Sequence, residues 1–304
     1  MLFLRRLRKD FKRYWGAYLL VLPIVLYYIV FYYIPMGGIT LAFKRYSPAA
    51  GIWGSEWVGL EYFKQFFGSI YFGRVLKNTI VINIVTLMLG FPAPIVLALL
   101  LNEVKNQKFK KVVQTISYLP HFISLVILCG MIKLFVSDKG IVTQLLVHLF
   151  NFPELSLLSR KEYFVPVYAI SNVWQGVGWG SILYLAALSG INHELYDAAS
   201  IDGAGRWKQT LHVTLPGIAP TIITMLILRV GSMMSLGHEK IILLYNESIY
   251  ETADVISSYV YRKGLLEAQW SFSTAVGLFN SVINFVLVMI TNKISKKVAD
   301  VGLW

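Results

Sequence analysis

The hydrophobic residues of this chain fall into six long runs separated by polar segments. Each run approaches the roughly 20 residues that an α-helix needs to cross the hydrocarbon core of a bilayer. The pattern therefore predicts an all-α polytopic membrane protein with six transmembrane helices, and Pro92 and Pro94 are expected to bend the second. The predicted spans cover residues 16–36, 78–101, 114–136, 164–190, 217–237 and 270–292.

Composition supports a membrane protein and excludes an ordinary soluble domain. Hydrophobic residues make up 56% of the 304 residues, charged residues only 14%, and the mean hydropathy is +0.60. The formal net charge of +12 does not indicate nucleic acid, because the basic residues cluster beside the apolar runs. Membrane lipid, and no nucleic acid, is therefore the expected surrounding of the chain.

The distribution of basic residues predicts the orientation of the spans. Arg5, Arg6, Arg8, Lys9, Lys12 and Arg13 precede the first run. That run is as long as a full span and no small-residue cleavage site follows, so we interpret it as an uncleaved first span. Under the positive-inside rule, residues 1–15 and 293–304 are cytoplasmic tails of one domain, 16–292, and the loop 191–216 is cytoplasmic too.

The cytoplasmic loop 191–216 has a pattern of its own. Asn192 can cap a helix, and Gly203 can adopt the left-handed conformation that ends one. A second helix is expected to begin at Arg206 and to end near Leu215, because Pro216 lacks a backbone N–H. The loop is thus predicted to form two short helices joined at a glycine.

Polar residues within the apolar runs indicate a transport path, because each is costly in lipid unless it faces a partner or water. Arg229 is placed near the middle of the fifth span, either facing a cavity that binds an oxygen-rich or anionic solute or bonded to protein carbonyls. In the fourth span, amide and indole groups suit a sugar, and its glycines also suit close helix packing. This fourth-span set consists of Asn172, Trp174, Gln175, Gly176, Gly178, Trp179 and Gly180.

Asn280 and Asn284 are four residues apart in the sixth span and share one helix face. They either line the same cavity or hold helices together. Ser232, three residues after Arg229, is a weaker candidate of the same kind.

Motifs of enzyme chemistry are not found in the sequence. The five histidines are scattered without metal-ligand spacing, and neither a Gly-x-Ser-x-Gly motif nor a glycine-rich phosphate-binding loop occurs. Cys129 is the single cysteine, so no disulfide can form within the chain. If transport uses ATP, another chain must bind it.

The loop 191–216 resembles a known signature. The segments Asp197-Ala198-Ala199, Asp202-Gly203-Ala204 and Leu215-Pro216 are similar to the cytoplasmic EAA motif of binding-protein-dependent ABC importer permeases, with Asp in place of the leading Glu. Residues 59–63 resemble the outer-loop segment of many carbohydrate-class permeases. Residues 243–262 resemble the LplB-like subgroup that serves oligosaccharide and polysaccharide-fragment uptake. The resemblance covers most of the chain.

The resemblance implies a type I importer in the bacterial cytoplasmic membrane. Its expected partners are a second homologous permease, two cytoplasmic ATPase subunits that bind the ATP and Mg, and an extracellular solute-binding lipoprotein. This chain itself is expected to bind no cofactor or metal and to catalyse no reaction. The residues implied to couple it to the ATPase are Asp197, Ala198, Ala199, Asp202, Gly203, Ala204, Arg206 and Pro216.

The candidate substrate path combines this resemblance with the polar residues of the spans. Arg229 hints at an acidic or modified sugar. The alternatives are a permease for a peptide or a phosphate ester, and a membrane enzyme or scaffold without transport. The path residues are Trp174, Gln175, Gly176, Trp179, Arg229, Ser232, Met233, Asn280 and Asn284.

Overall fold

The computed structural model describes the backbone of residues 2–234 and 237–299, and the side chains of residues 13–234 and 237–297. The side chains of the basic N-terminal residues up to Lys12, and the end of the C-terminal tail from residue 300, lie outside this description. The described chain is mostly helical. The exception is a pair of two-residue antiparallel strands, β1 (Lys44–Arg45) and β2 (Glu56–Trp57).

The first half of the chain contains one helix with few contacts and a series of packed ones. A π-helical turn (Ile29–Tyr33) and a 3-10 helix (Pro35–Phe43) continue the first helix. The α-helices are α1 (Leu2–Tyr28), α2 (Gly51–Gly54), α3 (Glu61–Phe67), α4 (Ile70–Gly90), α5 (Pro92–Glu103), α6 (Gln107–Tyr118), α7 (Leu125–Phe135) and α8 (Ile141–Phe150).

The second half begins with the long helix α9, which packs against α4, α5 and α6. Residues 238–266 form several short helices between α12 and α16, here called the inserted segment. The helices are α9 (Lys161–Ser189), α10 (His193–Ile201), α11 (Arg206–Gln209), α12 (Leu215–Gly231), α13 (His238–Leu244), α14 (Tyr250–Ala253), α15 (Ile256–Tyr261) and α16 (Trp270–Ala299).

Within the described ranges, four helices are long and apolar enough to cross a membrane: Arg13–Phe43, Ile70–Glu103, Arg206–Gly231 and Trp270–Lys297. A fifth is added if the bent pair Gln107–Phe122 and Leu125–Phe135, which meet at 105°, is one span. The helix α9 has 29 residues but carries many polar side chains and is not among them. The six spans and the cytoplasmic termini therefore stay predictions.

Three helix boundaries differ from the sequence-based expectation. The third run is broken by a 3-10 turn at Leu119–Phe122, which includes Pro120. The fifth helix ends at Gly231, so Arg229 lies in its last turn and not at its middle. The helix that begins at Arg206 was predicted to end near Leu215. In the structure it continues through a π-helical turn (Thr210–Thr214) into α12. Pro216 stands in the first turn of α12, where its missing N–H costs little.

Three clusters of buried hydrophobic residues hold these helices together. One, around Ile82, Leu128 and Phe164, joins α4, α7 and α9 to α13. A second, around Phe66 and Tyr259, joins α3 and α15 to α4 and α16. The third, around Tyr184 and Ile218, joins α9 to α5 and α12. As a result, α9 contacts both the inserted segment at one end and α12 at the other.

Candidate functional site

Two glycines allow α9 to pack closely against its neighbours. A Cβ atom on Gly178 would collide with the backbone carbonyl of Ser117 in α6, and one on Gly180 would lie 3.0 Å from Pro94 in α5. Of the two interpretations of these glycines, close helix packing agrees with their contacts. This close approach leaves the opposite polar side chains of α9 facing α4 and α12.

A cavity of about 290 Å³ lies between α4, α9, α12 and α13. Most of its lining residues are polar, and they carry one more positive than negative charge. We call it the Lys240 cavity. Its lining residues are Asn83, Thr86, Leu87, Leu125, Tyr168, Asn172, Gln175, Arg229, Ser232, Met233, Gly237, Glu239 and Lys240.

Lys240 is the most buried cation of this cavity, with only 5% of its surface exposed. Its Nζ donates to Asn172 Oδ1 at 2.9 Å and to Gln175 Oε1 at 3.3 Å. It also lies 5.5 Å from the centre of the Tyr168 ring. Asn172 donates its own Nδ2 to the Tyr168 carbonyl, which turns Oδ1 towards the lysine. The ammonium is thus held by neutral oxygens and an aromatic ring.

Arg229 lines the Lys240 cavity and a second cavity of about 400 Å³. We call the second one the His121 cavity, because His121 from the turn between α6 and α7 forms part of its wall. Thr86, Asn172 and Gln175 also line both cavities. These shared side chains make the two cavities neighbouring parts of one polar region.

Thr86 gives the cavity wall an unused hydrogen-bonding group. Its side chain is 3% exposed, and within the described residues its Oγ1 has no hydrogen-bond partner. Buried hydroxyl groups are normally paired, and leaving one unpaired is costly. A solute with hydroxyl or carboxylate groups could supply the missing bond.

The structure brings together several of the sequence-predicted path residues and separates others. Gln175, Arg229, Ser232 and Met233 line the Lys240 cavity, and Gly176 lines the His121 cavity. Trp179 stacks on His121 with ring centres 4.5 Å apart, at the edge of the same region.

Trp174, Asn280 and Asn284 face elsewhere. Trp174 lines an apolar groove of about 590 Å³ between α7, α8 and α9. Asn280 donates to the Met234 carbonyl at 3.0 Å, and the Met234 N–H donates to Asn284 Oδ1 at 2.9 Å. The two asparagines thus fix the chain that follows α12. Of the two interpretations given above, these contacts agree with the one in which the asparagines hold helices together.

An ion-pair cluster fixes the inserted segment against α4. Asp254 is fully buried and accepts from Arg262 Nη2 at 2.7 Å and from Ser258 Oγ at 2.8 Å. Arg74 of α4 approaches the same carboxylate at 3.7 Å. Asn78 of α4 donates to the carbonyl of Asp254 at 2.9 Å. These contacts position the segment that carries Lys240.

A second, exposed ion pair joins the inserted segment to α9. Lys161 Nζ lies 2.7 Å from Glu251 Oε2, and this hydrogen bond lowers the pKa of Glu251. The Thr252 hydroxyl also donates to the Lys161 carbonyl.

The predicted coupling loop has the expected start and turn. The Asn192 side chain accepts from the Glu194 N–H at 3.0 Å and so caps α10. Gly203 has a φ of +75°, in the left-handed region. None of the described side chains of α10 is buried within the chain.

The loop also exposes large apolar side chains. Leu195 is 53%, Ile201 87% and Trp207 75% exposed. Exposed large apolar side chains in a polar connecting loop are a feature of interaction surfaces.

Several cavity residues were missed by the sequence reading. Lys240, Asn83, Thr86 and Tyr168 line the cavity but were not singled out from the sequence. The polar residues Asn78, Thr79, Asn83 and Thr86 share one side of α4 and are all buried, which is a detectable signal in an apolar run. Within the described side chains, no cluster of three His, Cys, Asp or Glu residues is arranged to hold a metal ion.

Comparison with known proteins adds a family. Residues 67–300 match the family model described as "Binding-protein-dependent transport system inner membrane component". Protein LplB of Bacillus subtilis (strain 168) is 44% identical over 96% of this chain and 92% of its own length. The polygalacturonan/rhamnogalacturonan transport system permease protein YteP of the same organism is 43% identical over 94% of this chain and 89% of its own length.

A solved structure is similar over nearly the whole chain. It is a bacterial alginate ABC transporter in complex with an alginate pentasaccharide-bound periplasmic protein. The matching chain is 42% identical, with a TM-score of 0.90 over 98% of this chain and 100% of that one.

Proposed function

The chain belongs to the binding-protein-dependent transport system inner membrane components, and from this premise we propose that it is the permease subunit of an ABC importer for acidic oligosaccharides. Its relatives include a permease for polygalacturonan and rhamnogalacturonan and the transporter of alginate, an acidic polysaccharide. It acts in the bacterial cell membrane as a multi-pass subunit.

The observation that carries the proposal is the polar region between α4, α9 and α12. An oligosaccharide carries many hydroxyl groups, and a small number of placed polar side chains along its path fixes its orientation. Asn83 of α4, Gln175 of α9 and Ser232, which directly follows α12, supply such groups. Arg229, which lines both cavities, supplies a positive charge that suits a uronate.

Two features support a complex with ATPase subunits: a motif that the sequence lacks and an apolar surface that the chain exposes. Its sequence contains no nucleotide-binding motif, so two ATPase subunits on the cytoplasmic side supply the energy. The exposed apolar side chains of the coupling loop, Leu195 and Ile201 in α10, are the surface offered to them.

A second permease subunit and a solute-binding lipoprotein complete the complex. The solved relative is likewise recorded with a periplasmic protein that carries the oligosaccharide. Transport then proceeds by rigid-body movement of helices around the polar region as the ATPases close.

The test is transport by the complete complex in proteoliposomes. A radiolabelled galacturonate trisaccharide, loaded on the cognate binding protein, is expected to accumulate only when ATP is present. Because the two cations also suit other anions, a phosphate ester and a tripeptide are tested in parallel. Uptake of either of these in place of the trisaccharide would assign another solute class, and no uptake of any would contradict transport.

A further inference from the structure

Lys240 differs from the other cations of the chain in what surrounds it. It is 5% exposed, whereas Lys133, Lys139 and Arg160, which belong to the same half of the molecule, are exposed at the surface. Within the described residues it forms no ion pair; its two acceptors are the amides of Asn172 and Gln175. A buried ammonium with only neutral acceptors is costly, and an anion next to it recovers part of that cost.

Of the two oxygens that accept hydrogen bonds from Lys240, that of Gln175 is suited to being replaced by a substrate carboxylate. The longer bond, 3.3 Å to Gln175 Oε1, involves a side chain that also lines the His121 cavity. A hydrogen bond from an ammonium to a carboxylate is shorter and stronger than one to an amide. A carboxylate that enters the cavity can therefore take the place of the Gln175 oxygen, and the long glutamine side chain can turn towards the His121 cavity.

The neighbouring groups fit the rest of an acidic sugar. Arg229 lines the same cavity and forms no ion pair within the described residues. Thr86 Oγ1 is buried and unpaired on the wall. Glu239, beside Lys240, also lines the cavity and repels the carboxylate from that part of it. A uronate thus finds two cations for its carboxylate among the residues that line one cavity.

We propose that Lys240 is the carboxylate receptor of the permease and determines its preference for acidic over neutral oligosaccharides, with Asn172 and Gln175 holding the ammonium until substrate arrives. The inference rests on the proposed function. It adds that charge selection is made by a residue of the inserted segment, outside the helices long and apolar enough to cross the membrane.

The test compares Lys240→Met with Lys240→Arg in the complete reconstituted importer. Methionine keeps the length of the side chain and removes the charge, while arginine restores the charge. Lys139→Met, which removes an exposed lysine outside the cavity and away from the inserted segment, is the control. The probes are a galacturonate trisaccharide and its fully methyl-esterified form, each at saturating binding protein, and uptake and substrate-stimulated ATPase activity are both measured.

Lys240→Met is expected to lower uptake of the trisaccharide roughly 10- to 100-fold, the value of one lost charge-assisted hydrogen bond. Its uptake of the methyl ester is expected to equal or exceed that of the unmodified importer. Lys240→Arg should recover most of the loss, and Lys139→Met should show none.

Three results would separate the possible failures. If the unmodified importer takes up no trisaccharide, the proposed function fails. If it does and Lys240→Met does so equally well, Lys240 is not the receptor. If Lys240→Met loses trisaccharide and ester uptake alike, or arginine does not rescue it, Lys240 has a structural role and the inference is overturned.

Discussion

Gly178 lies where α9 touches the backbone of α6. A Cβ atom there would meet the carbonyl of Ser117 and the Tyr118 ring, so only glycine fits without displacement of one helix. Two residues earlier, a Cβ on Gly176 would meet no atom within 4 Å. The two glycines of one helix thus have opposite packing requirements.

Gly178→Ala is expected to destabilise the folded subunit by about 1–3 kcal/mol, the usual cost of inserting a methyl group into a packed contact. The measurement is the midpoint of thermal unfolding of the purified assembly. Gly176→Ala is the matched control and should leave the midpoint unchanged or raise it, because alanine favours a helix over glycine. Equal midpoints for the two variants would contradict the packing role of Gly178.

Residues of the cavity were predictable from sequence only where they interrupt an apolar run. Gln175 and Arg229 were found because a polar side chain in such a run is expensive and needs a reason. Lys240 stands in a polar segment, where a lysine is ordinary. Its burial depends on contacts with Asn172 and Gln175, 68 and 65 positions away, which no local pattern contains.

Among the helical elements, the coupling loop gives the most direct test of energy transfer. Gly203 has a φ of +75°, whereas proline requires a φ near −65°. Gly203→Pro is therefore expected to misplace α10 and to abolish substrate-stimulated ATP hydrolysis while the subunit remains in the membrane. Hydrolysis is measured with the reconstituted complex, and membrane insertion by immunoblot.

The control for this variant is Gly205→Ala. Gly205 has a φ of −68° and room for a methyl group, so stimulated hydrolysis should persist. Normal stimulation in Gly203→Pro would show that α10 does not couple this chain to an ATPase.

The Asp254 cluster allows a test of how the inserted segment is fixed. Asp254→Asn leaves Arg262 and Arg74 without their carboxylate, and breaking a buried ion pair in this way costs about 3–5 kcal/mol. We expect faster hydrogen exchange in residues 247–262 and a lower unfolding midpoint.

Glu251→Gln is the matched control, because it breaks an exposed ion pair of the same segment. Exposed pairs contribute little to stability, so exchange should change only slightly. Similar effects of the two substitutions would mean that Asp254 does not fix the segment.

The boundaries of the elements were harder to predict than their existence. The cap at Asn192 and the left-handed Gly203 follow from residue chemistry alone and are present in the structure. The end expected near Leu215 was wrong because Pro216 follows a π-helical turn and occupies the first turn of α12. A proline in the interior of a helix disrupts it, whereas a proline in the first turn is compatible with the start of a helix. The local sequence does not distinguish the two cases.

At the scale of the whole molecule, cysteine labelling tests the predicted number of membrane crossings. Cys129 is the single cysteine and is buried, so a Cys129→Ala background permits single cysteines to be placed elsewhere. If the bent pair α6–α7 is one span, cysteines at Lys108 and Lys139 lie on opposite sides.

With six spans and a cytoplasmic N-terminus, cysteines at Lys139 and Arg160 should react with a membrane-impermeant maleimide in intact cells. Those at Lys108 and Lys208 should react only after permeabilisation. The Cys129→Ala background should remain unlabelled. Equal reactivity at Lys108 and Lys139 would mean that the bent pair enters and leaves on one side.

The family and the general architecture were accessible from sequence because they depend on long apolar runs and on one local motif. The LplB-like subgroup was confirmed by the similarity to LplB over nearly the whole chain. The contributions of α4 and α13 to the polar region were not accessible, because the region forms where α4, α9, α12 and α13 meet and none of them contains it alone.

The close packing of α9 has a mechanical consequence. With Gly178 and Gly180 seated against α6 and α5, the part of α9 after Pro166 behaves as a stiff rod of about 23 residues, roughly 34 Å long at 1.5 Å per residue. Its far end leads directly into α10. A tilt of about 10° shifts one end of such a rod by about 6 Å against the other, more than one helical turn. A small rotation at the α10 end is thereby amplified into a large displacement at the other end, without this part of α9 having to bend.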